Sequence, residues 1–71
     1  MTIENLEIAV SPILEKYDLS CERQGEKLVL RDKKKVVIGS VSTNGDVERK
    51  QQGAKQLMGA LVRDDLKSLF A

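Results

Sequence analysis

Three polar stretches, Gln24-Gly25, Asp32-Lys33-Lys34-Lys35 and Thr43-Asn44-Gly45-Asp46, cut the middle of this chain into runs too short for helices. The runs at 19–23, 27–31 and 36–43 suit pleated strands, and the last is rich in β-branched Val36, Val37, Ile38 and Val41. A helical period stands on either side. Ile3, Leu6, Val10, Ile13, Leu14 and Tyr17 recur at three- and four-residue steps behind Thr2, an N-cap residue type, and Glu4, which suits a first turn. Pro12 interrupts this pattern, which predicts one kinked helix ending near Tyr17. From Gln51 onward Ala54, Leu57, Met58, Leu61, Val62, Leu66 and Leu69 form a second apolar stripe, with Gly53 and Gly59 weakening it and a break expected at Arg63, where Asp64 can cap a last turn.

The expected fold is therefore α+β: a single domain over residues 1–71, in the order α-β-β-β-(β)-α. A three- or four-stranded antiparallel meander would carry both helices on one face. A two-residue turn at Gln24-Gly25 would place Cys21 opposite Leu28 and Leu19 opposite Leu30 on the inner face. Ser20, Glu22, Lys27, Val29 and Arg31 would then face outward. Asn44-Gly45 is the dipeptide of a type I′ hairpin, so residues 46–49 either return as a fourth strand or open the second helix at Asp46. The pattern leaves open which of Val37 and Ile38 points inward, and it marks Gly39 as a bulge or a close approach.

Chemistry is constrained by what is missing. The 71 residues contain no histidine and one cysteine, so no internal disulfide can form and no histidine can activate a thiol. Cys21 on the inner face is expected to act as a small hydrophobe. The carboxylate pairs Glu4/Glu7 and Asp64/Asp65 have the spacing of ordinary helix surface. Neither a metal-ligand cluster nor a phosphate-cradling glycine loop is present, so an enzyme, a metal site and a cofactor are not expected. No secretory leader or membrane-length apolar run is visible, which suits a cytoplasmic protein.

Net charge is +1, but it is segregated. Residues 1–22 carry −4, residues 23–55 carry +5 and residues 56–71 balance. Lys33, Lys34 and Lys35 crown a hairpin, and Arg49, Lys50 and Lys55 fall near the expected start of the long helix, where free N–H groups could join them in gripping phosphate. In this layout, an α-β-β-β-α order with lysines before the last helix, the chain is similar to the double-stranded RNA-binding domain. It departs from that domain's pattern in lacking a histidine in the first hairpin loop and a Gly-Lys-Lys run before the helix. Small toxin ribonucleases of similar layout depend on a histidine that this chain does not have. Tyr17 and Phe70 are the only aromatics and both fall on apolar stripes, which leaves little for base stacking.

Leu66, Leu69 and Phe70 form a last apolar turn that either closes the core or anchors another chain, including a second copy in a homodimer. By elimination the expected function is non-catalytic: a small protein-interaction module acting as adaptor, regulator or inhibitor. Nucleic-acid binding through the basic middle is the alternative, and an accessory subunit of an enzyme the third.

Overall fold

The structure, a computed structural model, describes residues 1–53 and 55–71, and of Gln52 and Lys55 only the backbone. Helix α1 (Ile3–Tyr17) leads into strands β1 (Ser20–Gln24), β2 (Lys27–Arg31), β3 (Val37–Ser42) and β4 (Val47–Arg49). A miniature hairpin, β5 (Gln51–Gln52) and β6 (Lys55–Gln56), then precedes α2 (Ala60–Ser68). The first four strands form one antiparallel meander in the order β1-β2-β3-β4. This is the α+β fold expected from the sequence, in its four-stranded form.

Helix α1 is held at both ends by local chemistry. The Thr2 hydroxyl accepts the Asn5 N–H at 3.1 Å, which satisfies one of the orphan donors of the first turn. At the other end Asp18 takes a left-handed conformation, while Leu19 N–H reaches back to the Leu14 carbonyl at 2.8 Å. That six-to-one closure ends the helix and folds Leu19 against the core beside Leu14. Pro12 is carried inside the continuous helix. It lies on the solvent side with Ile8, so the Ile8 carbonyl it leaves unbonded can turn to water.

The first hairpin turns one residue later than expected. Cys21 pairs with Leu30, Arg23 with Leu28 and Gln24 with Lys27, so Gly25-Glu26 is the turn. Gly25 at φ +61° occupies the first central position, where a type II′ turn needs glycine. The shift is two in register, and strand side chains alternate with a period of two. The inner and outer sets are therefore those expected. The third hairpin is also corrected: Val41 pairs with Val47 and Ser42 N–H bonds the Asp46 carbonyl, leaving the three-residue loop Thr43-Asn44-Gly45. Gly45 alone is left-handed there, so the turn is not type I′.

Opposite Leu30 and Arg31 the β2–β3 register slips: Leu30 faces Gly39 and Arg31 faces Val37. Ile38 is the extra residue of this bulge. It turns into the core at 5% exposure, whereas Val37 stays on the outer face. Gly39 is both bulge and close approach: a Cβ there would overlap the Met58 methyl and the Glu48 carbonyl oxygen.

Met58 explains where the second helix begins. The expected helix from Gln51 does not form, and α2 starts at Ala60. Gly53, at φ +62°, turns the chain between β5 and β6 instead. Of the stripe that suggested the longer helix, Ala54 lies outside the described residues, and Met58 belongs to a bent linker that tucks beneath Gly39. Leu61 is 71% exposed. Nor does α2 break at Arg63; it runs through Asp64 and Asp65 to Ser68.

The core gathers Leu6, Val10 and Ile13 of α1, Leu28, Leu30, Ile38 and Val41 of the sheet, Met58, and Val62 and Leu66 of α2. Leu66 is fully buried, and Leu69 and Phe70 pack against the same cluster, with Phe70 lying over Gly45. The terminal apolar turn therefore closes the core. The two helices are also tied by Asp65, whose carboxylate accepts the Tyr17 hydroxyl at 2.7 Å and Lys16 Nζ at 3.2 Å.

Two outcomes follow. Gly39→Ala should lose about 1–3 kcal/mol in urea unfolding, because neither a backbone carbonyl nor the packed Met58 can step aside freely. Gly59→Ser, where a new Cβ meets nothing within 4 Å, should change stability by no more than a few tenths of a kcal/mol. Equal effects would refute the close approach. Second, the hydrogen bond from Tyr17, helped by Lys16, holds the Asp65 carboxyl below its ordinary pKa. A folded-state pKa below the unfolded one gives stability that is present above the unfolded pKa and lost as pH falls through the folded one. Between about pH 5 and pH 3 the melting temperature of Asp65→Asn should therefore fall less than that of the native chain. Parallel falls would remove Asp65 from the account.

Candidate functional site

Strand alternation sends Ser20, Glu22, Gln24, Lys27, Val29, Arg31, Val37, Ser40, Ser42 and Glu48 to the sheet face away from the core. Across it runs an open groove of about 270 Å³, bounded by Gln24, Lys27, Val29, Val37, Ser40, Glu48, Arg49 and Lys50. Val29 and Ser40 face each other across β2 and β3 and form its floor. Both are buried, at 7% and 8% exposure, although neither helix covers this face.

Ion pairing sorts the cations. Arg23 pairs with Glu7 and lies 3.8 Å from Glu4; Arg31 meets Glu22 at 3.3 Å, Lys33 meets Asp18 at 2.9 Å and Arg63 meets Asp64 at 3.2 Å. With Lys16 on Asp65, most acidic groups of α1 and its flanks are engaged. Among the described residues, Lys27, Arg49 and Lys50, the three cations of the groove, have no carboxylate within pairing distance. Arg49 is instead oriented by donating from Nη1 to Gln56 Oε1 at 2.8 Å.

The lysine tip is a separate place. Asp32 organises it, accepting the N–H groups of Lys34 and Val36 on Oδ1 at 2.8 and 3.0 Å. Lys35 closes the turn in a left-handed conformation. Lys33 reaches back to Asp18, a bond that raises its pKa. A shallow hollow of about 360 Å³ lies between Tyr17, Asp18, Asp32, Lys33 and Lys34, but its two aspartates make it a poor seat for an anion.

None of Lys33, Lys34, Lys35, Arg49 or Lys50 stands at a helix N-terminus. Arg49 ends β4, Lys50 continues it by donating its N–H to the Ile38 carbonyl at 2.9 Å, and the Lys55 side chain lies outside the described residues. Helix α2 opens at Gly59 with no side-chain cap, ten residues of chain beyond Arg49. Lys33, Lys34 and Lys35 do cap a hairpin turn, as expected, but Arg49 and Lys50 expected near a helix start belong to the groove instead, and the layout likeness to the double-stranded RNA-binding domain loses its helix-start lysines. Sequence reasoning placed Lys27 and Val29 on the outer face, but missed that Ser40, Glu48 and Lys50 join them. The slip at Ile38 sets the facing of Ser40, and no local residue pattern announces it.

Cys21 sits half-buried on the inner face, against the core and opposite Leu30 rather than Leu28. Burial pushes its thiol pKa up, which opposes the thiolate a nucleophile needs. Among the described residues no three His, Cys, Asp or Glu side chains converge to hold a metal ion, and no helix is long and apolar enough to cross a membrane.

Native Cys21 should accordingly react slowly with a maleimide at pH 7 and speed up on unfolding in urea. Labelling as fast in the native state as in urea would place the thiol at the surface.

Comparison with protein-family models, curated proteins and solved structures found no match for this chain, so the site stands on its own geometry.

Proposed function

We propose that this chain is a non-catalytic protein-interaction module of the cytoplasm, an adaptor, regulator or inhibitor that acts by laying the outer face of its sheet on a partner protein. One observation carries this: a groove with a buried floor and unpaired cations lies on the face that both helices leave open. Building a rigid four-stranded sheet beneath it keeps the groove preformed, which lowers the ordering cost of binding. The half-buried thiol with its raised pKa and the ion-paired carboxylates supply no positioned acid, base or nucleophile, in keeping with binding rather than turnover.

Nucleic-acid binding is the competing reading, favoured by exposed Lys34 and Lys35 and by the unpaired groove cations. It has lost the helix N-terminus on which phosphate would have rested. Glu48, set among the groove cations, repels a phosphate chain.

The test is capture from host extract, with and without nuclease, by the native chain, by the double variant Lys27→Glu/Lys50→Glu and by Lys67→Gln as a distant control. A nuclease-resistant protein held by the native chain and the control but released by the double variant is the expected result. Capture that disappears with nuclease, accompanied by duplex binding whose log–log salt slope is about −3 to −4, would replace this function with the nucleic-acid one.

A further inference from the structure

Resting on the protein-binding function just proposed, we infer that the groove takes an extended, acidic segment of the partner, with carboxylates four residues apart and a neutral hydrogen-bond acceptor midway between them. The register supplies the spacing. Ser40 faces Val29 on one side and Glu48 on the other. Lys27 lies two residues from the Ser40 level towards one end of the sheet, opposite Ser42. Lys50 lies two residues towards the other end, bonded to Ile38. At about 3.3 Å per residue, the two lysine levels are roughly 13 Å apart along the strands. Lys27 and Lys50 also stand on either side of β3, about two strand spacings apart. An extended peptide laid along β3 presents side chains i, i+2 and i+4 on one face, so carboxylates at i and i+4 are approached by the long Lys50 and Lys27 side chains from opposite sides while i+2 lies over Ser40.

The middle position is argued from Ser40. It is 8% exposed and lines the groove, yet no hydrogen bond to its hydroxyl is made among the described residues. Among the described side chains only Arg63 Nε is both sealed from solvent and unpartnered, so the Ser40 oxygen keeps a solvent-facing edge. A hydroxyl aimed into the groove without a partner is a donor waiting for an acceptor. Its cross-strand neighbour Glu48 disfavours a second carboxylate there, so the acceptor at i+2 is neutral, such as an amide or hydroxyl. Val37 and the Val29 floor offer apolar contact to the peptide's own stems.

The groove, at about 270 Å³, lies just below the range of enclosed small-ligand pockets and is open along its length, which favours a segment of a larger chain over a small free acid. The same Glu48 sets this ligand apart from a polyphosphate, whose charges recur too closely to avoid it.

Fluorescence anisotropy tests the pattern with a labelled peptide containing Glu-Thr-Gln-Thr-Glu, a counterpart with both glutamates replaced by glutamine, and one reading Glu-Thr-Glu-Thr-Glu. The first should bind best, and the third more weakly despite its extra charge. Lys27→Gln and Lys50→Gln should each raise Kd about 2–5-fold, as loss of an exposed ion pair does. Ser40→Ala should raise it about 3–10-fold while leaving the melting temperature unchanged or higher, since among the described residues the lost hydroxyl makes no hydrogen bond. A merely structural Ser40 would move the melting temperature and not the Kd. If none of the peptides binds, or the glutamine peptide binds equally well, the inference is overturned. A random dodecamer display library then separates the two failures. Neutral peptides selected onto the groove would retain the protein-binding function, whereas no selected peptide together with a duplex DNA oligonucleotide bound at the groove would overturn both.

Discussion

The contact on which the rest of the structure depends is the seat of Met58 beneath Gly39. A glycine at that point of β3 lets the linker side chain and the Glu48 carbonyl crowd against bare backbone. Met58, almost fully buried, then fixes the chain between β6 and α2, and so sets where the last helix starts and how it returns to the core. A flexible thioether is well matched to filling such an irregular space. The adjoining bulge sends Ile38 into the core and leaves Val37 and Ser40 on the opposite side. One small residue thus decides both how the core is filled and what the open face presents.

Electrostatics follows from the same arrangement. Acidic groups of α1 and its C-cap meet Arg23 and Lys33 of the sheet and its turn, while Lys16 of α1 meets the acidic Asp65 of α2. Exposed pairs of this kind contribute little to stability, about 0–1 kcal/mol each. Their larger effect is on what remains: the acidic end of the chain engages Arg23 and Lys33, and Arg31 on the outer face through Glu22, while among the described residues the groove cations Lys27, Arg49 and Lys50 stay unpaired. The segregated charge of the sequence becomes a difference between two faces of the fold.

Most of the fold was legible because its signals are local. Thr2, the three- and four-step apolar spacing and the alternation of β1 and β2 act within a few residues, and alternation survived even a wrong turn assignment at Gly25. The start of α2 was illegible for the converse reason. Leu57, Met58, Leu61 and Val62 fit a helical stripe on paper, but Met58 is claimed by Gly39, nineteen positions earlier in the chain. A tertiary contact overrode a local period. The groove was half legible: Lys27 and Val29 follow from alternation, while Ser40 and Lys50 arrive only through the bulge and its pairing.

The meander has a consequence for how the chain finds its shape. Every neighbour in the main sheet is also the next strand in sequence, closed by Gly25-Glu26, by residues 32–36 and by residues 43–46. Such pairings join residues close together along the chain, and topologies rich in them close quickly. The long-range step is elsewhere: Tyr17 and Asp65, 48 positions apart, must meet for the two helices to lock. The strands of the open face are thus assembled by short-range closure, whereas the helical side waits on the slowest encounter, so the surface that would meet a partner is the part of the molecule least dependent on its ends.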